Sequence, residues 1–168
     1  MKHFLTILFC LYATFAIAQQ PEKCEFNDDL LDKMTGQWLM TGQMMDKKVG
    51  YNFNAQWVLK HQFMEWEMTD VLAKDPAYTA KVYVGYDCEK KQYIVHWIDN
   101  IGGKFSETLG YGTKKGDVIE LKFKYPTGPA INTISYNKAN NTWQFHLTWQ
   151  DKNKKWSTWS LTTLTKRK

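Results

Sequence analysis

The amino-acid sequence predicts an all-β protein: a single up-and-down antiparallel β-barrel of about eight to ten strands, with a short N-terminal helix. Apolar and polar residues alternate along most of the chain, which indicates strands that each have one buried face. Short runs of turn-forming residues separate the alternating segments, and no helical period lies between them. Closure into a barrel removes the unpaired edges of such a meander, whereas a two-sheet sandwich is the main alternative.

The first residues, 1–18, have the pattern of a secretory signal peptide. A short basic start precedes the apolar run Phe4–Ile17, and Ala16-Ile17-Ala18 offers the small side chains that signal peptidase accepts. The run is too short for a stable membrane span, so we expect cleavage after Ala18. An uncleaved anchor is the alternative. The sequence therefore predicts an exported protein, periplasmic or secreted, without a membrane span after cleavage.

Two segments follow the signal: an arm with a short helix over 19–35 and the barrel over 36–168. The net charge of +5 is carried mostly by scattered lysines and gives no argument for nucleic acid. Cys24 and Cys88 are the cysteines left after cleavage, and an exported protein can join them in a disulfide or keep two free thiols. Nothing in the sequence fixes the oligomeric state.

Seven segments show the alternation most clearly. They are Trp38–Met40, Tyr51–Trp57, Met64–Met68, Tyr78–Tyr86, Tyr93–Trp97, Ile119–Tyr125 and Trp143–Trp149. Turns are predicted over 100–103, 112–117, 126–129, 137–142 and 150–154, which are rich in Gly, Pro, Asn and Asp. The one convincing helix is Phe26–Met34, capped by Asn27 or Asp28, and we expect it to be a plug or lid.

In an up-and-down meander, alternate hairpins lie at the same end of the barrel. The hairpins with Lys90-Lys91, Lys114-Lys115 and Lys138 would share one end, and those at Asp75-Pro76, 100–103 and 126–129 the other. The second end is poorer in charge, so we expect the mouth of the barrel there. The charged hairpin 151–155 is an exception to this pattern.

Two motifs resemble a known family. Gly36-Gln37-Trp38 is similar to the Gly-x-Trp start of lipocalin-like proteins, in which the Trp closes one barrel end under a basic side chain. The resemblance implies Arg167, or else Lys166, for that basic side chain. Val84-Gly85-Tyr86-Asp87, Tyr93, Trp97-Ile98-Asp99 and Gly102 resemble the pattern of DUF1579, a family of lipocalin-like proteins of unknown function.

The resemblance to DUF1579 covers roughly 36–164 and implies the barrel fold without an activity. Cys88 departs from the pattern, since relatives usually continue with Pro at that position.

Large apolar-face side chains are the candidates for a ligand cavity. They are Trp38, Met40, Met64, Trp66, Met68, Tyr93, Trp97, Trp143, Phe145 and Trp149. A barrel of this size is wide enough for one small ligand, and Trp and Met suit a flat or hydrophobic molecule. A filled core that serves as a structural or interaction module is the alternative.

The sequence gives less support to a metal site or a catalytic site than to a ligand cavity. His61, His96 and His146 are lone histidines without metal-ligand spacing, so no cofactor is expected. A heme held by His96 or His146, in a barrel enzyme or a heme-binding protein, is the alternative. Glu65 and Glu67 lie opposite Trp66, which predicts a solvated exterior pair. The sequence contains no catalytic motif and gives no positive case for an enzyme.

Overall fold

The computed structural model describes residues 24–73 and 78–167. The predicted signal peptide 1–18 and the Asp75-Pro76 turn lie outside the described residues, so both stay predictions.

Ten antiparallel strands of the described chain close into one barrel in the order β1-β10-β9-β8-β7-β6-β5-β4-β3-β2. The strands are β1 (Gly36–Met44), β2 (Lys47–Val58), β3 (Phe63–Asp70), β4 (Thr79–Asp87), β5 (Gln92–Asp99), β6 (Leu109–Lys115), β7 (Val118–Tyr125), β8 (Gly128–Asn137), β9 (Thr142–Gln150) and β10 (Trp156–Lys166). Two short helices accompany them, α1 (Asp29–Asp32) and α2 (Gly103–Ser106). The predicted up-and-down barrel is confirmed.

Strands β6 and β8 were not predicted as alternating segments, and the turn predicted over 112–117 is wrong for most of its length. The chain turns at Gly116 and Asp117, whereas 112–115 belong to β6. The reason is that two inward positions of β6 are glycines, so the strand shows no apolar alternation. A side chain at Gly110 would meet the ring of Phe123, which fills the space over the strand instead.

The predicted helix Phe26–Met34 is correctly placed but too long. Only Asp29–Asp32 is helical, and Asp28 rather than Asn27 is the cap: its Oδ1 accepts from the N–H of Leu30 at 2.9 Å and of Leu31 at 3.0 Å. Leu30 and Leu31 are buried with the barrel core. The segment therefore plugs one end of the barrel, as expected.

Alternate hairpins lie at the same end, because every strand pairs with its sequence neighbours. We call the end covered by α1 the helix end; it holds the β2–β3, β4–β5, β6–β7 and β8–β9 turns. The opposite end, which we call the loop end, holds the other five connections and the helix α2. The predicted grouping of the lysine-bearing hairpins at one end is confirmed, and that end is the helix end. The prediction that the other end is poorer in charge is wrong, because the β1–β2 connection with Asp46, Lys47 and Lys48 lies there together with the charged hairpin 151–155.

Candidate functional site

The helix end is sealed by a buried aspartate. Asp28 is 4% exposed; its Oδ2 accepts a hydrogen bond from the Tyr93 hydroxyl and lies 3.0 Å from Nζ of Lys114. Burial alone would raise the pKa of Asp28, but the hydrogen bonds from Tyr93 and the Leu31 N–H and the charge of Lys114 outweigh it and lower the pKa. Burial and the Asp28 carboxylate raise the pKa of Tyr93. The carboxylate thus fixes α1 to β5 and β6.

Trp38 closes the same end from within the barrel. Its Nε1 donates to the Met34 carbonyl at 2.6 Å, and Nζ of Lys166 lies 4.5 Å from the centre of its ring. The basic side chain over the tryptophan is therefore Lys166, the second of the two residues that the resemblance implied. The first, Arg167, donates to Asn52 instead.

A disulfide between Cys24 and Cys88 ties the N-terminal arm to the β4–β5 turn. Next to it, the ring of Phe26 stacks on Tyr86 at 5.4 Å and meets Trp57 edge-on at 5.1 Å. The sequence left open a disulfide or two free thiols, and the structure contains the disulfide. Covalent and aromatic contacts together close the helix end.

Three aromatic rings bridge the middle of the barrel. Phe53 lies 6.2 Å from Trp66 and 5.8 Å from Phe145 between ring centres, and Trp66 lies 5.7 Å from Phe145. These residues belong to β2, β3 and β9, so their rings meet across the interior. Such edge-to-face and tilted contacts are the favoured aromatic geometries. The middle of the interior is therefore occupied by side chains.

The loop end holds a polar and aromatic group of side chains that is less deeply buried. The Tyr78 hydroxyl donates to Oδ2 of Asp99 at 3.1 Å and accepts from Nε1 of Trp97 at 2.9 Å. Burial, together with the neighbouring Asp99, raises the pKa of Tyr78 and raises that of Tyr125 to about 12. Trp97, Tyr78 and Tyr125 are partly exposed and pack against the edge of the core. The loop end thus presents hydroxyl, carboxylate and indole groups beside the core.

Three buried polar atoms of the interior have no hydrogen-bonding partner among the described residues: Nε1 of Trp66, Nε1 of Trp143 and Oδ1 of Asn132. Asn132 is 3% exposed and points inward between Ala130 and Ile134 on β8. An unpaired buried polar group costs roughly 1–3 kcal/mol, so three of them in one barrel require an explanation.

The ten side chains predicted to line a cavity all stand at inward positions of their strands. Eight of them are buried, and Trp97 and Trp149 at the loop end are partly exposed. The sequence reasoning missed Asn132, Tyr78 and Asp99 as interior polar residues. The alternation Ala130-x-Asn132-x-Ile134 was the available signal for Asn132.

The two histidines considered for a heme lie on the outer face of the barrel. Nε2 of His96 lies 2.6 Å from the Ser106 carbonyl, and Nε2 of His146 lies 2.9 Å from Oγ1 of Thr158. A heme inside the barrel would need a ligand other than these two imidazoles. Within the described residues, no group of three or more His, Cys, Asp or Glu side chains is placed to hold a metal ion.

The prediction that Glu65 and Glu67 form a solvated pair on the outer face is correct for their direction and wrong for the exposure of Glu65. Glu65 and Glu67 do face outward, but Glu65 is only 6% exposed. Gln56 donates to it at 3.0 Å and Lys81 at 3.4 Å, and these long side chains cover it. Burial would raise the pKa of Glu65, yet the hydrogen bonds from Gln56 and Tyr83 and the charge of Lys81 lower it. Glu65 is therefore a buried carboxylate on the outer face of the barrel, held by these hydrogen bonds and by the charge of Lys81.

Residues 25–164 match the family model described as "Protein of unknown function (DUF1579)". The chain belongs to the DUF1579 family. The match extends from Glu25 in the arm to Leu164 in β10, so it includes the plug and all ten strands of this DUF1579 protein. No curated protein matches the chain. The described residues include no helix with the length and apolar character needed to cross a membrane.

Proposed function

We propose that this DUF1579 protein is exported and binds a small, largely apolar molecule in the interior of the barrel. The observation that carries the proposal is the set of three unpartnered polar atoms, on Trp66, Trp143 and Asn132. A filled core gains nothing from burying an amide oxygen without a donor, and an apolar residue would be more stable there. A bound molecule with matching donors and acceptors would form the hydrogen bonds that these three atoms lack.

The unpartnered atoms also define the class of ligand. Two are indole N–H donors and one is an amide oxygen acceptor. The surrounding walls are apolar and aromatic, and include Phe53, Phe145 and Met68. Sites of this kind hold mostly apolar molecules and fix their orientation with a few polar contacts. A ligand that satisfies all three atoms has an apolar body, an oxygen acceptor for each indole and a donor for Asn132.

Entry from the loop end is favoured by the contrast in burial. The helix end is closed by the plug, by the Asp28 contacts and by the Cys24–Cys88 disulfide. At the loop end the interior side chains of Trp97 and Trp149 are partly exposed. A ligand that displaces side chains there needs only local rearrangement, because less tightly buried regions open at lower free energy.

Export is supported by the signal-like residues 1–18 and by the disulfide, because disulfides persist in oxidising compartments.

A second candidate function is that of a structural or interaction module with a filled core. The aromatic contacts between Phe53, Trp66 and Phe145 favour it, because they occupy the middle of the barrel. The two functions differ in what they require of Asn132. A ligand site needs its amide, whereas a structural core is better without it.

The experiment is native mass spectrometry of the protein from its own compartment, with and without denaturation. Retention of a small-molecule mass increment in the native spectrum alone is the expected result. The variant Asn132→Leu should lose the increment and yet unfold at higher urea, with a gain of about 1 kcal/mol because an unpaired buried amide is removed. Thr133→Val, on the outer face of the same strand, is the matched control and should keep the increment.

Equal native and denatured masses for the wild-type protein, together with an Asn132→Leu variant that is less stable, would favour the filled module. In that case the amide oxygen has a structural role, and the interior side chains serve only to fill the barrel.

A further inference from the structure

Six large apolar side chains stand exposed at the connections of the loop end. They are Met45, Val71, Leu72, Ile101, Phe105 and Trp156, of which Trp156 is the first residue of β10, and they are between 40% and 66% exposed. Four different connections carry them, namely β1–β2, β3–β4, β5–β6 and β9–β10. These side chains therefore surround one end of the barrel as a ring, which we call the rim. A broad, flat partner would contact several members of the rim at once.

The helix end lacks such a ring. At its described turns and the strand residues next to them, two large apolar side chains are exposed: Leu59 at 68% and Val118, the first residue of β7, at 37%. The exposed apolar surface is therefore concentrated at the loop end. Exposed apolar groups that cluster in this way mark an interaction surface, whereas single ones are ordinary.

Six exposed lysines accompany the rim: Lys47, Lys48, Lys104, Lys152, Lys154 and Lys155. None takes part in an ion pair found among the described residues. At the helix end, Lys90 lies 3.5 Å from Asp87 and Lys138 lies 3.0 Å from Asp117, whereas Lys60, Lys91 and Lys115 have no ion pair among the described residues. The carboxylate of Asp151, beside the rim lysines, accepts from the N–H groups of Asn153 and Lys155. The six lysines outnumber the exposed carboxylates of the loop-end connections, which are those of Asp46, Glu107 and Asp151, so a net positive charge faces an external partner there.

We infer that the loop end docks on the surface of an anionic lipid bilayer. A bilayer offers a flat apolar layer for the tips of Ile101, Phe105 and Trp156, under a negatively charged surface for the lysines. Tryptophan beside lysine, as in Lys154-Lys155-Trp156, is the combination that membrane interfaces favour, because both side chains have an apolar body and a polar tip. Docking in this orientation faces the partly exposed interior toward the lipid.

The test measures the co-flotation of the chain with lipid vesicles. The chain from Gln19 onward is used, because it keeps every described residue and lacks the apolar N-terminal run that would itself bind lipid. Vesicles of phosphatidylcholine alone are compared with vesicles that contain phosphatidylglycerol at about three parts in ten, at low and high salt. Binding should be roughly tenfold stronger to the anionic vesicles, and high salt should reduce it.

Two variants of the rim separate the apolar and charged contributions. Ile101→Ser with Phe105→Ser removes two exposed tips and should lower vesicle binding by a factor of ten or more. Lys154→Gln with Lys155→Gln should lower binding to anionic vesicles by about tenfold and leave the weak binding to neutral vesicles unchanged. The matched controls at the helix end are Leu59→Ser and Lys90→Gln with Lys91→Gln, which should bind as the wild type does.

The inference is overturned if the chain does not bind anionic vesicles, or if the helix-end controls lose as much binding as the rim variants. Self-association through the rim would appear as a dimer in vesicle-free sedimentation that the Ile101→Ser, Phe105→Ser variant abolishes, and it would also overturn the lipid assignment. All substituted side chains are exposed, so the variants should keep the wild-type thermal unfolding midpoint. The outcome is independent of the native-mass test of ligand binding, which uses no lipid.

Discussion

A tyrosine hydroxyl donates to an aspartate at each end of the barrel. At the helix end Tyr93 donates to Asp28, a carboxylate that is 4% exposed, is paired with Lys114 and caps a helix. At the loop end Tyr78 donates to Asp99, which is partly exposed and accepts one backbone N–H, that of Ile101. The same chemical pair is therefore built into a dense network at one end and left near solvent at the other.

Most of the contacts that stabilise the fold at the two ends belong to the helix end. The helix end combines a disulfide, the ion pair of the buried Asp28 carboxylate with Lys114, a capped plug and the Trp38–Lys166 contact. The loop end has partly exposed aromatic residues, and its surface carries the rim. Binding regions are commonly the less stable parts of a protein, because they must open or rearrange. A sealed end allows the other end to remain adaptable.

The largest effect is expected from paired truncations of tryptophan at the two ends. Trp38→Ala removes a fully buried ring at the helix end and should lower the free energy of unfolding by about 4 kcal/mol. Trp149→Ala removes a partly exposed ring at the loop end and should cost about 1–2 kcal/mol, because water already reaches part of it. Urea unfolding at neutral pH measures both values.

If Trp38→Ala does not fold, Trp38→Leu keeps part of the volume and permits the same comparison. Equal losses for the Trp38 and Trp149 variants would contradict the division of the barrel into a stable and an adaptable end.

The second effect concerns charge at the helix end. Asp28→Asn keeps the size of the side chain but removes the negative partner of Lys114, and should lower the free energy of unfolding by about 2 kcal/mol at pH 7. Because folding lowers the pKa of Asp28 below its ordinary 3.8, its charged form stabilises the fold above that pH. The contribution is lost as the pH falls through the lowered pKa, so the difference between wild type and variant should shrink at pH 3.

The control for this charge effect is Asp117→Asn. Its pair with Lys138, at 3.0 Å, is exposed on both sides and should contribute about 0.5 kcal/mol or less. A wild-type advantage over Asp28→Asn that persists unchanged at pH 3 would assign the effect to packing rather than to the ionised carboxylate.

The sequence predicted the barrel because most strands show their buried face as a plain alternation of apolar residues. It failed at β6 and β8. In β6, Gly110 and Gly112 take inward positions, and Phe123 of the next strand fills the space over Gly110. A lone strand cannot reveal that its neighbour supplies the missing side chain. The same limit applies to Lys166 and Arg167, because only the register of β1 against β10 decides which of them reaches Trp38.

The candidate site was less accessible from the sequence. Tyr78 directly precedes β4, whereas Asp99 and Tyr125 are the last residues of β5 and β7. At such positions Asp is an ordinary turn residue. The proximity of these three residues follows from closure of the sheet and from the stagger of its strands. Asn132 was hidden for another reason, since a polar residue at an inward position interrupts the pattern by which β8 would have been found.

The smallest effect, removal of one hydroxyl at each end, compares the two tyrosine–aspartate pairs directly. Tyr93→Phe leaves a buried carboxylate without one of its donors and should cost about 1.5 kcal/mol. Tyr78→Phe affects a carboxylate that water can reach, so the same atom should be worth about 0.5 kcal/mol there. Urea unfolding of the two variants and of the double variant measures both terms, which should add because the sites lie at opposite ends. A Tyr78→Phe loss as large as that of Tyr93→Phe would show that the Tyr78–Asp99 pair is structural. The loop end would then be a second sealed end, and ligand entry through it would have to be abandoned.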